Sequence, residues 1–241
     1  ASRAVAAQAR TQMPSVISGA TLYDALYRSG YHSALQTTRG GPLLPYVANV
    51  SAEFGAMRWL DVGCSNGFVV NWLWEHGYKA SGCDISQVAI SLAIKSRGEP
   101  VGKCVGPCFQ QGPASALPFP DGAFDAIISS DVLEHIEPKD AGSVTIEISR
   151  VASHVLVLKV AARGDSVDYR QKAHLKTQLE VQGYRWNESS SAVLPTNLHP
   201  TVHGHTWWVS RFKEAGGWRL HTMIPHPRNR PWLCCMFILV R

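Results

Sequence analysis

Residues 57–84 read MRWLDVGCSNGFVVNWLWEHGYKASGCD, and this stretch decides the fold. An apolar run ends in Asp61. A loop follows with Gly63 and Gly67, then a helix-like run, then a second apolar run ending in Asp84. The pattern is strand, tight turn, crossover helix and parallel strand. Such a unit is right-handed and places its ligand crevice at the carboxyl ends of its strands.

Each residue type in the turn has a physical task. Gly63 and Gly67 lack Cβ, so the chain can turn sharply and a ligand can approach the backbone. The first N–H groups of the helix, from near Asn66, offer donors and a partial positive charge. Asp84, at the second strand tip, can accept both hydroxyls of a ribose. The turn is D-x-G-x-x-x-G, with Ser65 where a dinucleotide fold places a further glycine. A missing central glycine argues against a pyrophosphate pressed on the backbone and for a nucleoside without phosphates.

Asp61-Val62-Gly63-Cys64-Ser65-Asn66-Gly67, followed by ALPFPDGAFDAIISSDVLEHIEP at 116–138, resembles the class I S-adenosylmethionine-dependent methyltransferases. Their first motif reads D-V-G-C-G-x-G. L-P-F-x-D-x-x-F-D, a strand and V-L-E-H come later. The resemblance spans residues 20–241. It implies an α/β fold: a doubly wound, mostly parallel seven-stranded sheet, helices on both faces and a C-terminal antiparallel hairpin. It implies S-adenosylmethionine as cofactor, held by Asp61, Gly63, Cys64, Ser65, Gly67, Asp84, Ile85, Ala114, Ser115 and Ser130. In the family an acid often follows the third strand and meets the adenine amino group. Pro113 stands there, so that contact falls to the backbone of Ala114 and Ser115.

The chain has 241 residues, 45% apolar and 17% charged, enough for one large domain and too apolar for disorder. The net charge of +5 is spread without a run of three Lys or Arg, which argues against a nucleic-acid surface. The longest apolar run, Trp232–Val240, is too short to span a bilayer and suits a buried strand. Of the six cysteines none shows C-x2-C spacing, but Cys104 and Cys108 can close a small loop disulfide. Residues 1–23 contain no acid, and sequons begin at Asn49 and Asn187. The leader, the sequons and the cysteine loop point to an organelle or secretory lumen, with the cytoplasm left open.

Residues 1–14 are expected to form a flexible leader, and 15–241 a single domain. Within it, 15–54 form an N-terminal cap and 163–205 an inserted region on the substrate side. Tyr23, Tyr27 and Tyr31 share a helical face, and the resemblance suggests a lid from Tyr27, Tyr31 and His32. Residues 43–54 read as a helix. Strands are expected at 57–62, 79–84, within 101–113, at 124–130, 154–160, 218–224 and 232–240. Helices are expected at 66–76, after Ser86, at 139–151, and from a Thr206 cap to Gly216-Gly217. In the helix after Ser86 the apolar face is read as Val88, Ala89, Leu92 and Ala93. Residues 163–198 read as polar and irregular.

Methyl transfer is an in-line displacement at a sulfonium, so positioning supplies much of the catalysis and a base is needed only for a protonated nucleophile. The absence of [ND]-P-P-[YF] after the fourth strand lowers nucleobase N-methylation. His135, His203 and His205 are the candidate bases, the last two from a histidine cluster that also holds His199. Asp131, Glu134 and His135 form D-x-x-E-H, akin to the E-x-x-E-H that holds Mg²⁺ in some relatives; the balance of the sequence favours no metal. The acceptor is expected to be an oxygen on a small molecule or glycan. The rivals are a metal-assisted RNA-end methyltransferase, a non-catalytic cofactor-binding scaffold and, more distantly, a nicotinamide enzyme.

Overall fold

The computed structural model describes residues 15–16, 19–30, 40–161, 173–184, 192–193, 198–225 and 234–241. Seven strands form the main sheet: β1 (Arg58–Val62), β2 (Lys79–Asp84), β3 (Phe109–Gln111), β4 (Phe124–Ser130), β5 (Ala152–Ala161), β6 (Arg219–Ile224) and β7 (Cys234–Val240). Their order is β3-β2-β1-β4-β5-β7-β6. The first five are parallel to one another, and β7 pairs antiparallel with both β5 and β6. β1 therefore has β2 on one side and β4 on the other, the switch point at which doubly wound sheets open a crevice.

Among the described residues seven α-helices surround the sheet: α1 (Gly19–Arg28), α2 (Val47–Phe54), α3 (Phe68–Glu75), α4 (Gln87–Arg97), α5 (Ala141–Val151), α6 (Ala173–Val181) and α7 (His205–Gly216). Successive side chains of a strand face opposite ways. In β1, Trp59 enters one core with Val47, Val70 and Ile90, which belong to α2, α3 and α4. Leu60 and Val62 enter the opposite core with Val144, Ile148, Trp208 and Phe212, from α5 and α7. Helices cover both faces, which is why β4 and β5 are near-continuous apolar runs.

Several sequence expectations need correction in detail. In α4 the buried residues are Ala89, Ile90 and Ala93. Val88 is only half-buried and Leu92 is exposed, while Ile90 takes the buried place and joins Ala93 and Phe109 in the core. Ser86 does cap α4, its Oγ accepting from Ala89 N–H at 3.1 Å. Thr206 caps nothing: α7 starts at His205 behind Gly204, which has the extended backbone of a cap. Residues 41–46 form a 3₁₀ helix, since Pro42 and Pro45 leave too few N–H donors for an α-helix. The region read as irregular contains α6, whose Leu179 packs with Leu22, Ala25, Leu26 and Leu198. The leader, Tyr31, His32 and the Asn187 sequon lie outside the described residues. Cys104 and Cys108 are joined in a disulfide just before β3.

Candidate functional site

The turn after β1 is shaped by three left-handed residues. Gly63 has φ +80° and Gly67 φ +74°. A Cβ on Gly63 would run into the Val132 side chain, and one on Gly67 would lie 2.6 Å from the Phe109 ring. Gly63 thus presses the β1 tip against the segment after β4, and Gly67 seats the start of α3 on β3. Ser65 adopts φ +52°, a conformation that costs a non-glycine residue stability and that persists where surroundings impose it. Its N–H donates to Asp84 Oδ2 at 3.0 Å, and its hydroxyl is buried without a hydrogen-bond partner.

Asp84 is almost fully buried. Its Oδ1 accepts from Ser86 N–H at 2.9 Å. Burial drives its pKa up, to about 6, against the pull of the Ser86 and Ser65 N–H groups and the Tyr27 side chain. Asp61, at the neighbouring strand tip, is pushed to about 8 by burial first and by Asp84 second. α1 is clamped over this end by Asp24 Oδ1, which accepts from Ser86 Oγ at 2.5 Å and Val88 N–H at 3.1 Å.

The other end lies beyond β4. Asp131 has φ +58°, and both its carboxylate oxygens lie 2.5 Å from Lys159 Nζ on β5. Glu134 is buried, and burial, then Asp131, raises its pKa to about 8. His135 Nδ1 donates to the Leu198 carbonyl at 2.7 Å, which fixes the ring and leaves Nε2 as its basic nitrogen. The His199 ring lies edge-on to it with centroids 4.5 Å apart, and Tyr23 of α1 is 5.9 Å away on the same pattern.

One cavity of about 350 Å³ joins the two ends. Asp61, Ser65 and Asp84 line it together with Ala114, Ser115, His135, Leu198 and Pro200. This volume lies in the range of small-molecule sites.

Residues 60–154 match the family described as methyltransferase domain. The fold is similar to a magnesium protoporphyrin IX methyltransferase from Synechocystis PCC 6803 solved with S-adenosylmethionine, at 16% identity, 94% of this chain, 99% of that one and TM-score 0.63. It is similar to a Burkholderia thailandensis 1,6-didemethyltoxoflavin-N1-methyltransferase, at 16% identity, 94% and 92% coverage and TM-score 0.58. The 4+2 cyclase SpnF gives 16% identity, 96% and 99% coverage and TM-score 0.59. No curated protein sequence matches the chain.

Residues 60–154 thus carry the sequence pattern of a methyltransferase domain, and the chain shares the fold of these neighbours. The donor set of the site suits S-adenosylmethionine: buried acids for a sulfonium and ammonium, an orphaned Ser65 hydroxyl, and a tight turn whose packing on Val132 leaves no room for a Cβ at Gly63. Of the residues singled out in the sequence, Asp61, Gly63, Cys64, Ser65, Asp84, Ile85, Ala114, Ser115, Ser130 and His135 line the cavity. Gly67 instead supports the turn from behind, against Phe109. His203 and His205 are not among the lining residues. His203 stacks on Trp207 with centroids 4.0 Å apart, and the Arg211 guanidinium lies 5.0 Å from the centroid of the same tryptophan ring. Tyr23, Leu22 and Pro200 line the cavity without having been singled out for it. For Tyr23 the four-residue spacing from Tyr27 was the available signal.

Proposed function

We propose that the protein methylates an oxygen of a small molecule or glycan, with the acceptor seated at the His135 end of the cavity. The supporting observation is the continuity of the cavity from Asp61 and Asp84 to His135, Leu198 and Pro200. The cofactor supplies an electrophilic methyl on a positively charged sulfur. Asp84, held by the Ser65 and Ser86 N–H groups, would grip the ribose hydroxyls. Asp61 would lie with the cationic part, the Ala114–Ser115 backbone with the adenine, and Ser130 with the methionyl amine. His135 stands where the acceptor arrives, its ring oriented by the Leu198 carbonyl, and polarises the acceptor hydroxyl. Tyr23 and Leu198 exclude water from that end.

We propose that the protein works in an oxidising compartment, on the strength of the Cys104–Cys108 disulfide. The experiment is transfer of radiolabelled methyl into fractionated lumenal and cytosolic extracts of the source cells. Asp84→Ala should abolish both S-adenosylhomocysteine binding and transfer, whereas His135→Ala should abolish transfer and keep the binding. A protein that binds the cofactor but labels no fraction would sink the proposal in favour of a scaffold.

A further inference from the structure

Glu134, His135 and His199 offer one carboxylate oxygen and two imidazole nitrogens that all lie within 4.8 Å of one another. Glu134 Oε1 accepts from the Ala161 N–H at 3.2 Å. Its Oε2 is buried and has no hydrogen-bond partner. A carboxylate oxygen shut away from water and left unsatisfied is costly, and a bound cation is one arrangement that satisfies it.

The His135 imidazole is prepared in a related way. His135 spends its Nδ1–H on the Leu198 carbonyl, so Nε2 is the nitrogen with a lone pair to offer. A backbone carbonyl behind a histidine in this manner is what orients metal-bound imidazoles. The ligands come from two segments, 134–135 and 199, and the protein ties those segments together without help from an ion. Thr201 N–H donates to the Glu134 carbonyl at 3.1 Å, and Thr201 Oγ1 to the Ile136 carbonyl at 2.5 Å.

The neighbouring acid is excluded from the set. Both oxygens of Asp131 are committed to Lys159. The donors are therefore one hard oxygen and two imidazoles, a mixture that suits Zn²⁺ or Mn²⁺ better than the all-oxygen shell preferred by Mg²⁺. This reverses the expectation from D-x-x-E-H, in which Asp131 supplied an oxygen and the sequence favoured no metal.

We propose that Glu134, His135 and His199 form a binding site for a divalent transition-metal ion at the acceptor end of the cavity. His135 lines that cavity, so an ion held there would face the acceptor. The part it plays in chemistry rests on the methyl-transfer reading. With an ion held there, the acceptor hydroxyl would meet the ion in place of the His135 ring and give up its proton to solvent; its oxygen would then form the bond to the methyl carbon as the carbon–sulfur bond breaks and its electron pair leaves with S-adenosylhomocysteine. The site itself does not depend on that reading, because ion binding is measured without any acceptor.

The test uses the untagged full chain, stripped with a chelator and titrated calorimetrically with ZnCl₂ and MnCl₂, with CoCl₂ as a spectroscopic probe. We expect one ion per chain and a visible Co²⁺ absorption band that imidazole ligation intensifies. His199→Ala should weaken binding by at least about tenfold and remove the band, while S-adenosylhomocysteine binding stays within about twofold of wild type. His199→Asn and Glu134→Gln provide second variants should the alanine protein fail to fold. Wild-type protein that takes up no stoichiometric ion, or a folded His199 variant that binds it as tightly, overturns the site. A chain that binds the ion and never transfers methyl leaves the site standing and defeats the functional proposal instead.

Discussion

Binding of S-adenosylmethionine should expel a proton, and Asp61 is the group that loses it. In the free chain Asp61 is buried beside Asp84 and titrates at about 8, with Asp84 at about 6. At pH 7 a group with that value is neutral in about nine-tenths of the molecules. A cation placed against the strand tips favours the carboxylate, so binding at pH 7 should release about 0.9 of a proton. Affinity should then fall as pH falls, by up to about tenfold per unit and about 50-fold from pH 8 to pH 6. S-adenosylhomocysteine lacks the sulfonium charge and should release less. The same shifts have the opposite effect on the free fold. Both carboxyls sit above their unfolded values, so their contribution to stability is complete in acid and is lost as pH rises through about 6 and then about 8. Calorimetry in buffers of differing ionisation enthalpy counts the proton, and Asp61→Asn should remove it. If no proton appears at pH 7 and Kd is equal at pH 6 and pH 8, the electrostatic account of the cofactor end is wrong.

Other perturbations test the scaffold. Gly63→Ala imposes a left-handed alanine and a clash with Val132, for about 2–4 kcal/mol together; adding Val132→Ala should return about 1 kcal/mol or more in a double-mutant cycle followed by urea denaturation. Asp125 accepts from the Met57 and Arg58 N–H groups and from the Arg58 guanidinium, which together outweigh burial and hold its pKa below the ordinary carboxylate value. Asp125→Ala should therefore cost about 2–4 kcal/mol, and Arg58→Ala, whose side chain is 44% exposed, less than about 1; equal losses would refute the importance of the backbone anchors. Reducing Cys104–Cys108 should lower stability by about 2 kcal/mol from loop-closure entropy alone, read as a shift of the denaturation midpoint, and an unchanged midpoint would remove the disulfide from the folded state's support.

The sheet was readable from sequence because its information is local. β1, β2 and β4 are apolar runs that stop at Asp61, Asp84 and Ser130, and turn residues mark each end. β3 has three residues and was readable only as a region, since a short edge strand carries little periodicity. The cofactor end was equally local: Asp61, Gly63 and Ser65 lie on one turn, and Asp84 ends the next strand. The acceptor end is assembled from α1, the segment after β4, and residues 198–201, which meet only in three dimensions. His199, His203 and His205 look alike in sequence, spaced within one turn-rich stretch. What separates them is that Thr201 binds the chain to Glu134 and Ile136, which draws His199 inward, while Trp207 draws His203 outward onto its own face. The histidine that reaches the site is thus chosen by one threonine hydroxyl and one tryptophan ring, neither of which carries any chemistry of its own. Thr201→Val keeps the volume and removes the hydroxyl, so its first effect should fall on the position of His199 rather than on the cofactor end.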